Sequence, residues 1–87
     1  MVSFTFTVKN KSGMDARLAG ILVKEAARCT GKVSIKKEEK TGDAKLIFHV
    51  LTLSIKENDE VEIIVEGERE QKEAAELEAF VKENIGS

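Results

Sequence analysis

The feature that most constrains this chain is the alternation at its start, where Val2, Phe4, Phe6 and Val8 are separated by Ser3, Thr5 and Thr7. Successive side chains of a strand point to opposite faces, so this pattern predicts a strand with one face buried and the other in water. The buried face needs a cover, and the next segment supplies one. After a turn-rich stretch, Asn10 to Gly13, apolar residues recur at helical spacing over residues 16–29, at Ala19, Leu22, Val23, Ala26 and Cys29. Gly31 marks the helix stop. Alternation then returns through Val33 and Ile35, giving a second strand over residues 32–37.

Residues 38–45 read as a polar turn with a short third strand, weakened by Gly42 within it. Residues 46–55 carry two signals. Leu51, Leu53 and Ile55 alternate as in a strand, whereas Leu46, Ile47, Val50 and Leu51 suit a short helix, and periodicity does not decide between them. Asn58 and Asp59 form a turn into a strand that buries Val61, Ile63 and Val65. A last helix is expected over residues 68–85, with Ala74, Leu77, Val81 and Ile85 as its stripe and Glu68–Lys72 and Glu78–Lys82 as i,i+4 pairs, and Gly86 ends it. The order β-α-β-β-(short α)-β-α fits an α+β fold, a four-stranded antiparallel sheet covered on one side by helices. At 87 residues the chain is expected to form one domain over residues 1–87.

With 41% apolar and 34% charged residues the chain should fold on its own. Its net charge of −2 is unevenly spread: residues 1–37 hold eight Lys/Arg against two acids, residues 38–87 six against fourteen. The basic first half suits a partner with an acidic surface, while the acidic balance argues against nucleic acid. No apolar run approaches the roughly 20 residues of a membrane span, so no membrane insertion is expected, and the lone Cys29 fits a cytoplasmic protein. No metal-ligand cluster, nucleophile–base pair or phosphate-cradling glycine loop is present, so neither an enzyme nor a cofactor is expected.

The stretch Ser12-Gly13-Met14-Asp15-Ala16-Arg17-Leu18-Ala19 bridges the first strand and first helix. It resembles the Gly-Leu-His-Ala-Arg-Pro-Ala signature of HPr, the phosphocarrier protein of the bacterial sugar phosphotransferase system. The likeness continues in Thr5-Phe6-Thr7-Val8, in Leu51-Thr52-Leu53-Ser54-Ile55 beside the family's Met-Ser-Leu-Gly-Ile, and in Glu60-Val61-Glu62-Ile63. It implies an open-faced β-sandwich of four strands and three helices. It also implies protein partners, Enzyme I or other phosphotransferase and regulatory components, and a monomer or weak homodimer.

In the family the histidine at the position of Asp15 accepts phosphate from Enzyme I. The serine that HPr kinase modifies in Gram-positive members corresponds to Leu46, and Leu18 takes the place of the proline. Asp15 and Leu46 are thus read as vestigial phosphorylation positions, with Ala16 and Arg17 beside the phosphate site. The catabolite-repression HPr-like branch also lacks the histidine but keeps the serine. Physically, Asp15 suits a helix start, where unpaired N–H groups favour an anion and Asp is among the best N-caps. Arg17 either helps hold a phosphate or pairs with Asp15. The resemblance places the docking surface at Arg17, Gly20, Ile47, Phe48 and Leu51. Leu46, Ile47, Phe48 and Leu51 cannot all face inward from one short helix, so Phe48 is expected to be exposed.

His49 lies where the family usually has Gly and is read as a surface histidine; Cys29 is read as a small buried hydrophobe. The expected function is a regulatory or docking module without histidine phosphocarrier activity. The alternative is an RNA-binding βαββαβ domain that stacks bases on Phe4 and Phe6.

Overall fold

The computed structural model describes residues 1–87. Its elements are β1 (Val2–Thr7), α1 (Ala16–Ala26), β2 (Lys32–Lys37), β3 (Lys40–Asp43), α2 (Ile47–Leu51), β4 (Glu60–Glu66) and α3 (Glu70–Asn84). The strands form one sheet in the order β1-β4-β2-β3, with every neighbouring pair antiparallel.

Register puts the alternation to use. Phe4 pairs with Ile63, and Ile63 with Ile35, so one face of the sheet is a continuous apolar row. The next row, Thr5, Glu62 and Lys36, points to the open face. Leu18, Ala19, Leu22 and Ala26 of α1 and Ala74, Leu77 and Val81 of α3 join the apolar face in a core of 21 buried residues. Burying each Val, Leu, Ile or Phe side chain contributes about 1.5–3 kcal/mol, so this layer dominates the stability. The Phe4 and Phe6 rings lie within it, 8% and 2% exposed. They cannot stack bases there, and the RNA-binding alternative fails.

Two sequence expectations are corrected and two further points are decided. The first helix ends at Ala26, three residues before Cys29, because the Arg28 and Cys29 amides turn back to Glu25 and Ala26 in tighter i→i+3 bonds. Cys29 is consequently half-buried at the core margin. Residues 46–55 resolve as α2 followed by a loop, in which Leu53 and Ile55 are buried without pairing in the sheet. The last helix begins at Glu70, so Glu68 lies outside it and makes no ion pair with Lys72, whereas Lys82 and Glu78 pair at 2.8 Å. The third strand forms despite Gly42, which pairs with Ile35.

Candidate functional site

The β1–α1 loop is built around Gly13. Its φ of +68° lies in the left-handed region, and a Cβ there would come 2.4 Å from the Ile55 carbonyl oxygen. That close approach lets the Met14 amide donate to the same carbonyl at 3.0 Å, while Asn10 Nδ2 donates to the Gly13 oxygen at 2.9 Å. The loop is thereby pinned to the segment after α2. No sequence pattern announced this tie; Gly13 was the only available signal.

So held, Asp15 takes extended backbone angles (φ −80°, ψ 179°) and becomes the N-cap of α1. Its Oδ1 accepts the Leu18 amide at 3.0 Å, and its carbonyl accepts the Ala19 amide at 2.8 Å. The carboxylate therefore occupies the anion-favouring end of the helix. Ala16 and Arg17 follow in the first turn, both exposed. Of the two readings of Arg17, the ion pair with Asp15 is not formed, and the Arg17 side chain has no carboxylate partner.

Gly20, in the middle of α1, has nothing within 4 Å of where a Cβ would stand, so packing does not require glycine there. α1 packs against α2. On α2 only Val50 is fully buried; Ile47 and Leu51 are half-buried, Leu46 is 49% exposed and Phe48 76%. Phe48 is thus the exposed aromatic that the sequence pointed to. Leu46 is the N-cap of α2 but offers no side-chain acceptor, so the start of this helix is uncapped.

His49 is exposed, as expected, yet it is not idle: its Nδ1 accepts the Asp43 amide at 3.1 Å. Burial pushes the Cys29 thiol up, and the nearby Glu73 carboxylate adds to the effect, so it favours the neutral thiol over a reactive thiolate. Glu73 was not singled out in the sequence, where it read as one more helix-surface acid, but it is 8% exposed.

Fold and site together define a class: a small open-faced α+β sandwich in which an acidic helix start stands on the helix that packs beside an apolar surface patch. The chain belongs to the HPr family, whose model, described as the PTS HPr component phosphorylation site, matches residues 2–83. It is 36% identical over 85 residues to the HPr-like protein Crh of Bacillus subtilis, covering 98% of this chain and 100% of Crh. It is 34% identical over 67 residues to the phosphocarrier protein HPr of Mycoplasma capricolum, covering 77% and 75% of the two chains. Among solved structures, the histidine-containing phosphocarrier protein of Mycoplasma superposes with a TM-score of 0.87 at 27% identity, covering 94% and 93%. A crystal structure of Crh, described as a swapped, intertwined dimer, gives 0.74 at 36% identity over the full length of both chains.

Proposed function

We propose that this chain is a regulatory, protein-docking member of the HPr family that does not carry phosphate on histidine. One observation carries the reading: the helix start that would stabilise a phosphoryl group is already occupied by the Asp15 carboxylate, hydrogen-bonded to the Leu18 amide. On this reading Asp15 stands at the family's histidine position and Leu46 at its regulatory serine. The sole histidine lies on α2, and its Nδ1 is engaged by the Asp43 amide. A carboxylate acceptor would need a metal and further acids to neutralise charge, and no group of three or more potential ligands converges around Asp15.

What remains is a surface. Arg17, Gly20, Ile47, Phe48 and Leu51 form its face, with Phe48 as the exposed aromatic centre typical of a small interface. Its partners are cytoplasmic proteins, Enzyme I or other phosphotransferase and regulatory components. The likeness to Crh, a catabolite-repression HPr, favours the regulatory side and admits a homodimer.

The test is phosphotransfer from phosphoenolpyruvate and Enzyme I, read by intact-mass spectrometry. The unmodified mass is expected, and an acid-labile phosphate on His49 overturns the proposal. In parallel, Phe48→Ala should lose proteins that the wild-type chain retains from its own cytosol while its unfolding midpoint stays unchanged.

A further inference from the structure

We propose that His49 is a positioning residue, fixing α2 and with it the Phe48 patch against the edge of the sheet; this rests on the docking reading above. α2 has five residues, far below the roughly 12–15 at which a helix becomes marginally stable in water. It has no side-chain N-cap and no acid in its first turn, and it sends one fully buried side chain, Val50, into the core. Ile47 and Leu51 pack only partly on the core, so a tie to the sheet edge adds to what sets its orientation.

That role falls to Asp43, the last residue of the edge strand β3, through three hydrogen bonds. Its carbonyl accepts the Leu46 amide at 3.0 Å, and its Oδ1 accepts the Lys45 amide at 2.9 Å. Both bonds hold the segment entering α2. The third reaches the helix itself: the Asp43 amide donates to His49 Nδ1 at 3.1 Å. The Ala44 amide donates inward to Val33 of β2, so the adjoining Asp43 amide faces away from the sheet, and β3 has no further strand to receive it. His49 thus closes an edge donor that the sheet leaves open.

Gly42 makes the approach possible. A Cβ at that position would stand 3.1 Å from both the Cβ and the carbonyl oxygen of His49, so α2 lies directly on β3. Drawing His49 onto the strand turns its neighbour Phe48, about 100° away around the helix, out to solvent. A patch held in one orientation before binding loses less conformational freedom when a partner arrives. The chemistry also fixes the ring: with Nδ1 as acceptor, the neutral imidazole carries its proton on Nε2.

The experiment is nitrogen-15 NMR of the intact chain. A through-hydrogen-bond coupling between the Asp43 amide nitrogen and His49 Nδ1 is expected; no coupling overturns the inference. His49→Gly, which removes the acceptor, should speed exchange of the Asp43 amide roughly tenfold and shift the Phe48 amide resonance. Gly42→Ala, which keeps the histidine but crowds it, should weaken the coupling. Unchanged Asp43 exchange or an unmoved Phe48 resonance in His49→Gly rules out positioning. None of these readouts needs a partner, so failure of docking would leave them intact.

Discussion

Both the amide and the hydroxyl of Thr30 donate to the same Glu73 oxygen, Oε2, at 2.7 and 2.9 Å, while the Gly31 amide reaches Oε1 at 3.3 Å. A carboxylate on α3 thereby satisfies the amides of the loop that leads from α1 into β2. The Thr30 amide, supported by its hydroxyl and the Gly31 amide, holds the Glu73 carboxyl below the usual carboxylate range. Asp59 is lowered likewise, chiefly by Lys37 at 2.8 Å and then by the Lys56 amide.

These two acids predict an acid-side loss of stability. Each binds its proton more weakly when folded than when unfolded, so its contribution is complete above the ordinary carboxylate pKa and is lost as pH falls through the lowered one. The denaturant midpoint should hold from neutrality down to about pH 5 and fall below about pH 4. Glu73→Gln should lower the neutral midpoint and flatten the acid decline. An unchanged acid slope in that variant would remove Glu73 as its cause.

Ser54 predicts a gain. Its φ of +53° is left-handed, a conformation that is strained for any residue with a Cβ, and the resembling family segment carries Gly there. Ser54→Gly should raise stability by roughly 0.5–1 kcal/mol in urea unfolding, the relief of strain exceeding the entropy cost of glycine. Gly13→Ala should do the opposite and cost more, because it adds a 2.4 Å clash with the Ile55 oxygen to the same backbone strain.

Gly20 separates stability from docking. Its Cβ position is open, so Gly20→Ala should stabilise α1 by about 0.5–1 kcal/mol through helix propensity alone. If the bare backbone forms part of the docking face, the same variant should bind its partner more weakly. Higher stability with undiminished binding would take Gly20 off the interface.

How much of this could be read in the sequence follows from where each signal lives. The alternation of Val2, Phe4, Phe6 and Val8 and the stripe Ala74, Leu77, Val81 and Ile85 report burial directly, and all eight except the half-buried Val2 are in the core. Phe48 could be placed outside because a five-residue helix has too little inner face for its neighbours. By contrast, Leu51, Leu53 and Ile55 left their segment undecided, because a loop pinned under a core alternates as a strand does. The Glu73–Thr30 bonds span 43 residues and His49–Asp43 joins an exposed ring to an edge amide. Neither leaves a periodic trace, so tertiary contact alone reveals them.

Asp15 yields the most discriminating prediction. Its carboxylate accepts one amide, Leu18, and that hydrogen bond accounts for an aspartate at this place without any charge effect. Asp15→Ala should then cost about 1 kcal/mol in urea unfolding, the usual worth of an N-cap. Asp15→Asn should cost little, since an amide oxygen caps as well; a loss comparable to that of Ala would mean that the negative charge at the helix start does the stabilising. The two variants also divide the functional readings. If Asn matches Asp in stability yet releases the partner, the carboxylate acts as a standing substitute for bound phosphate. Asp15→His supplies the third measurement, because it restores an imidazole at a helix start with exposed Arg17 nearby. Slow phosphorylation by Enzyme I is expected, and complete failure in a natively folded variant would show that the altered surface at Leu46 and Phe48 no longer receives Enzyme I.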